Sequence, residues 1–202
     1  GGVIISRANE VFTQLVEKTN IPVVTTVMGR GAIPTNHPLY IGNLGMHGAY
    51  ACNMAVSDCD LLFSIGTRFN DRITGKLHSF APNAQIVHID IDTAAISKNV
   101  QVDIPIVADA KDAIEKMLEY VEPNETTKWL EQIESWKEEH PLKMKEKPIM
   151  TPQDIIETIN RMFDEAIIVT DVGQHQMFTA QFIEITQKKR LLMSGGLGTM
   201  GY

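Results

Sequence analysis

Apolar positions along the first 120 residues alternate between helical and strand-like periods. Over Arg7–Asn20, Val11, Phe12, Leu15 and Val16 fall on one face of an amphipathic helix. Ile21–Thr26 reads as a short β-branched strand, and a Gly/Pro-rich loop, Met28–Pro34, follows it. His47–Ser57 has helical character. Asp60–Gly66 is a nearly continuous apolar run, as expected of a strand buried on both faces of a parallel sheet. Gln85–Asp90 is a further strand, and Ala108–Val121 a helix whose apolar stripe is Ile114, Met117, Leu118 and Val121.

The texture then changes. Thr126–His140 is a polar helix with two tryptophans, and Pro141–Pro148, rich in lysine and poor in apolar residues, reads as a linker. A new unit opens at Thr151-Pro152-Gln153-Asp154: Thr suits the N-cap, Pro the first helical position, and Asp the first turn. This helix runs to Phe163. Strand Ala166–Asp171, a helix from Gln174 to about Ile183, and strand Leu191–Ser194 follow. The unit has roughly fifty residues, too few to close a core alone. The expected organisation is an α/β domain over 1–140, a linker over 141–150, and the beginning of a second α/β domain over 151–202.

Strand–helix alternation predicts a Rossmann-like parallel sheet with right-handed crossovers, and such sheets bind ligands beyond the carboxyl ends of their strands. The unusual residues fall there, in Val27–Gly31, Gly66–Arg72, Asp90–Asp92, Asp171–Gln176 and Ser194–Gly201. Five such loops on one predicted edge point to a large, extended ligand or to two ligands. Arg68 and Arg72 are either solvated charges or a fork for a pyrophosphate. Asp90 or Asp92 either caps a helix or meets a ribose hydroxyl pair. His47 is a cap or a ring-stacking residue. His175 sits at a helix start, where exposed N–H groups favour anions.

Composition narrows the classes. Net charge is −7 with no basic block, which argues against a nucleic-acid partner. No apolar run approaches the length of a membrane span. Cys52 and Cys59 fit no zinc or redox spacing and read as small buried hydrophobes, so a cytosolic compartment is the default expectation. There is no nucleophile elbow, no Walker loop and no Gly-x-Gly-x-x-Gly after a first strand; Gly29-Arg30-Gly31 is too short a match to count. The residues alone reach a nucleotide-like cofactor binder and stop there. The abrupt start at Gly1-Gly2-Val3-Ile4 and the end inside a glycine-rich loop suggest an internal fragment of a longer chain.

Taken together, five segments resemble the acetolactate synthase (acetohydroxyacid synthase) family of thiamine-diphosphate-dependent enzymes. They are Leu44–Gly48, Gly66–Lys76, His88–Asp92, Val172–Met177 and Ser194–Tyr202. The Arg68–Lys76 stretch is similar to the FAD-containing synthases in particular, with Asn70 standing where Asp is more usual. The resemblance implies a central FAD-binding domain over 1–140 and the opening of a thiamine-diphosphate domain over 151–202. It assigns to FAD Gly2, Thr26, Val27, Leu44, Gly45, Met46, His47, Gly66, Thr67, Arg68, Phe69, Asn70, Asp71, Arg72, Asp90, Ile91, Asp109 and Ala110. It assigns to thiamine diphosphate Gln174 and His175 at the phosphates and Gly198, Thr199 and Met200 at the aminopyrimidine, with Met200 as the apolar prop of a bent cofactor.

The family's catalytic glutamate and its Mg²⁺-ligating Asp and Asn are expected outside these residues. No catalytic or metal residue is therefore assigned here, and residues 1–202 alone are expected to be inactive, with weak FAD retention. The implied reaction decarboxylates pyruvate and condenses it with pyruvate or 2-oxobutyrate. The implied partners are 2-oxo acids, a second copy of the chain, and a regulatory subunit. Another thiamine-dependent decarboxylase or carboligase, or a noncatalytic nucleotide-binding module, are the competing readings.

Overall fold

A computed structural model describes residues 1–145 and 149–202. The last three residues of the expected Pro141–Pro148 linker lie outside the described residues. In chain order the elements are α1 (Gly2–Ile5), α2 (Asn9–Thr19), β1 (Val23–Thr25), β2 (Tyr40–Asn43), α3 (Tyr50–Asp58), β3 (Leu61–Ile65), α4 (Asp71–Thr74), β4 (Gln85–Asp90), β5 (Ile104–Val107), α5 (Ala110–Met117), α6 (Thr127–Glu139), α7 (Pro152–Met162), β6 (Ala166–Thr170), α8 (Gln174–Phe182) and β7 (Lys189–Met193). Single 3₁₀ turns lie at Val27–Gly29 and Leu77–Ser79.

Every strand pairing is parallel, as the alternation predicts. The strands fall into three sheets, β1-β2, β3-β4-β5 and β6-β7, so the expectation of one continuous edge is corrected. The doubly buried strand is also not the one expected. Asp60–Gly66 contains β3, which among the described residues pairs only with β4 and leaves Leu61 45% exposed. β4, between β3 and β5, has four consecutive buried residues instead, with Ile89 and His88 fully buried. A central strand has both edges paired and lies under the crossover segments on each face, whereas an edge strand is open along one side.

Helices α2 and α5 cover one face of β3. Leu15 and Ile114 lie in one core cluster with Val11, Phe12, Phe63, Ile65, Met117, Leu118 and Val121 packed around them. The two stripes read from helical spacing therefore meet each other. Fully burying a side chain such as Ile114 contributes about 2 kcal/mol. The two tryptophans give the otherwise polar α6 its inner face: Trp129 and Trp136 stack edge-on at 5.6 Å and pack with Ile133 on Ala51 and Ala55 of α3. Beyond it, α7, α8, β6 and β7 share a small core of Ile156, Ile183 and Ile185. The start of α7 is the predicted cap: Thr151 Oγ1 accepts from the Asp154 N–H, and Asp154 Oδ2 accepts from the Thr151 N–H at 2.8 Å.

Candidate functional site

The ends of β3 and β4 are stitched to α1. Gly66 N–H donates to Ile89 O at 2.8 Å, and Gly2 N–H donates to Gly66 O at 3.0 Å. The backbones are so close that a Cβ on Gly66, whose φ is +60°, would lie 2.5 Å from Gly2 Cα. Only glycine fits such an approach. A second close approach joins the loop after β2 to α4: Met46 N–H donates to Arg72 O at 2.9 Å, and a Cβ on Gly45 would lie 2.5 Å from that same oxygen. Leu44 N–H donates to Thr25 O, which ties this loop back to the end of β1. Gly2, Leu44–Met46, Gly66 and Arg72 are thus brought together. Leu44, Gly45, Met46, Asp71 and Arg72 line one cavity of about 400 Å³.

The loop between Gly66 and Arg72 is strained and held in place. Phe69 has φ +48°, a conformation costly for a bulky residue, and it is 4% exposed. Its ring packs edge-on against Phe80 and His88. Asn99 Nδ2 donates to Arg68 O and Phe69 O, and His88 Nε2 donates to Thr67 O at 2.8 Å. A carbonyl only accepts, so His88 carries its proton on Nε2. These anchors leave Arg68 and Arg72 exposed, and among the described residues neither is paired with a carboxylate.

The acidic candidates are partly spent on the fold. Asp109 Oδ1 caps α5 by accepting from Lys111 N–H, and Asp90 Oδ1 accepts from Asp92 N–H. Thr26 Oγ1 accepts from Gly29 N–H and closes the turn after β1. Ala110 is buried, while His47 and Ile91 are exposed. Burial pushes the Cys52 thiol up to about 12 and the Cys59 thiol up to about 11, so both stay neutral and unreactive.

At the other end, Asp171 Oδ1 accepts from both Val172 N–H and Gly201 N–H. Ser194 Oγ accepts from Thr199 N–H. The glycine-rich loop therefore folds back beside the start of α8, near Gln174 and His175, whose side chains are exposed. Met200 is 68% exposed. Thr170 Oγ1 and Gln176 Nε2 are buried there without a hydrogen-bond partner among the described residues. Gly195 lies beside the Met28 thioether, and Gln181 Nε2 donates to His47 O, so the two groups of loops adjoin. Among the described residues no three His, Cys, Asp or Glu side chains gather as a metal site.

Residues 1–117, more than half of the chain, match the model of the thiamine pyrophosphate enzyme central domain. The chain belongs to the thiamine pyrophosphate enzyme family. Residues 171–202 match the family's C-terminal TPP binding domain, the stretch that contains the Asp171 loop and the glycine-rich loop. Among curated relatives, the acetolactate synthase large subunit of Cyanidium caldarium is 45% identical over the whole of this chain. A probable acetolactate synthase large subunit of Methanocaldococcus jannaschii is 46% identical, and the isozyme 3 large subunit of Escherichia coli 43%, again over the whole chain. The chain spans 36 to 37% of the length of these relatives.

Three residues that shape this thiamine-enzyme site escaped sequence reading: Asn99, His88 as an anchor of Thr67, and Met28 as the contact of Gly195. Asn99 is 30 residues from the carbonyl it binds, and no local pattern reports such a pair.

Proposed function

We propose that this chain carries the flavin-side and thiamine-side binding surfaces of an acetolactate synthase. The longer protein would decarboxylate pyruvate and join the product to pyruvate or 2-oxobutyrate. The observation that supports this best is the cavity lined by Leu44–Met46, Asp71 and Arg72, with Gly2 locked on Gly66 at the other end of the Gly66–Arg72 loop, in a chain 43 to 46% identical throughout to named acetolactate synthase large subunits. Residues 1–140 are proposed as the FAD-binding domain, 141–150 as the connection, and 151–202 as the opening of the thiamine-diphosphate domain.

The residues present fit both groups. Arg68 and Arg72 are exposed and, among the described residues, have no carboxylate partners, which suits them to a pyrophosphate. Gly196 and Gly201 have open space where a Cβ would stand, and α8 presents its first N–H groups beside Gln174 and His175. When bound, thiamine diphosphate supplies the electron sink for loss of CO₂ and for carbon–carbon bond formation. The chain's own part is to bind and orient: Asp171 holds the glycine-rich loop against α8, and the exposed Met200 thioether offers an apolar support. Mg²⁺, a second copy of the chain, a regulatory subunit and a cytosolic location belong to the same proposal. No helix among the described residues is long and apolar enough to cross a membrane.

Product analysis tests this reading. The full-length protein, given pyruvate, thiamine diphosphate, Mg²⁺ and FAD, is expected to form acetolactate. Free acetaldehyde in its place would assign the chain to another thiamine-dependent decarboxylase, and no product at all would overturn the proposal.

A further inference from the structure

Arg30 follows the turn after β1, and its side chain is turned inward and 7% exposed. Its Nη1 donates to Tyr40 Oη at 3.2 Å and to Asn43 Oδ1 at 3.3 Å, and its Nη2 donates to Ile183 O. Nε is buried and has no partner among the described residues. None of these partners carries charge. Burial pushes the Tyr40 phenol up, and the nearby Cys52 thiol is pushed up to about 12, so both remain neutral. An arginine stays protonated even when desolvation lowers its pKa, so a fixed positive charge is buried here without a counter-ion among the described residues.

That charge borders a cavity of about 430 Å³, formed between the strand β2, the end of α6 and the end of α8. Lys137 and His140 stand on the α6 wall. Lys137 Nζ is held 3.0 Å from Glu134, and the His140 ring packs on Tyr50 at 4.0 Å. Among the described residues the lining has one acidic side chain, Glu184, which is exposed. Ile41, Leu142 and Phe182 supply apolar wall. A site with a buried guanidinium at one side and aliphatic and aromatic surface at another matches a carboxylate with an apolar body.

We propose that this cavity is a binding site for a small organic carboxylate, distinct from the cavity lined by Leu44–Met46 and Arg72. The carboxylate would supply the counter-charge of Arg30, and its hydrocarbon part would lie on Ile41, Leu142 and Phe182. Because the cavity joins the end of β2 to the end of α8, occupancy would tie the two family-matched regions together.

Calorimetric titration of the full-length protein with hexanoate, 1-hexanol and inorganic phosphate tests the assignment. Hexanoate is expected to bind saturably and more tightly than either control. Arg30→Met is expected to weaken hexanoate by roughly ten- to hundredfold, the size of one charge-assisted contact, and Arg30→Lys by less. Should Arg30→Met fail to fold, Leu142→Glu decides: Leu142 is 41% exposed, and a carboxylate on that wall should repel hexanoate and leave hexanol unchanged. Equal binding of hexanol, phosphate as tight as hexanoate, or hexanoate affinity untouched by Leu142→Glu would each overturn the proposal.

Discussion

The loop at Gly66–Arg72 and the loop at Ser194–Tyr202 both follow a parallel strand and both begin with glycine or lead into it, yet they are built in opposite ways. The first is anchored from beneath. Phe69 is buried with Ile86, Val100 and Val102, Asn99 and His88 hold three of its carbonyls, and Gly66 is locked against Gly2. The second is tethered by two hydrogen bonds, to Ser194 Oγ and Asp171 Oδ1, and leaves Leu197 95% exposed. A loop that presents two guanidiniums from a held backbone needs rigid support, because its geometry is its recognition. A loop that offers an apolar side chain such as Met200 needs reach more than support. The difference predicts that mutations of the buried supports of the first region act on stability and binding together, and those of its exposed arginines or of the second loop on binding alone.

The largest test of that difference is Phe69→Ala, which empties a packed position at a strained backbone and should cost about 3–5 kcal/mol in urea unfolding. A loss under about 1 kcal/mol would mean that the loop does not depend on its buried ring. Asn99→Ala removes two hydrogen bonds to the same loop and should cost about 1 kcal/mol by the same measurement, since each net bond is modest. The second unit carries its own anchor at the Thr151–Asp154 capping box. Hydrogen bonds from the Thr151 hydroxyl and backbone N–H hold the Asp154 carboxyl below its ordinary range. Its folded pKa is depressed, so its stabilisation is complete above the usual carboxylate range and is lost as pH falls through the lowered value. Melting curves of wild type and Asp154→Asn should therefore converge in acid and separate at neutral pH; a constant offset would contradict the cap. Smallest is Met200→Ala, expected to change stability by no more than about 0.5 kcal/mol while weakening thiamine diphosphate binding. A large stability loss would show that the loop is packed after all.

What the sequence made legible follows the same division. Strongly periodic helices were readable: the stripes of α2 and α5 and the cap of α7 lie where spacing and cap chemistry place them. β2, β5 and α1 were not. β2 is only Tyr40–Asn43 and contains a glycine, and β5 has Pro105 inside it and stands at a sheet edge, where proline is tolerated. α1 begins with glycine and is rich in β-branched residues, which disguises a helical turn. The glycine and arginine positions of the strand-end loops stood out by composition, whereas their supports did not. Arg30 shows this most sharply: between two glycines it reads as a loop residue, and only partners up to 153 positions away reveal it as buried.

The claim at the centre of this account is that the anchored loops form a flavin-side surface. Titration of the full-length protein with FAD, AMP and NAD, for wild type and for the Arg68→Met/Arg72→Met double variant, tests it most directly. FAD should bind more tightly than AMP or NAD, and the double variant should lose at least about tenfold in FAD affinity with its unfolding curve unchanged. Tighter binding of AMP or NAD, or FAD affinity indifferent to both arginines, would contradict it.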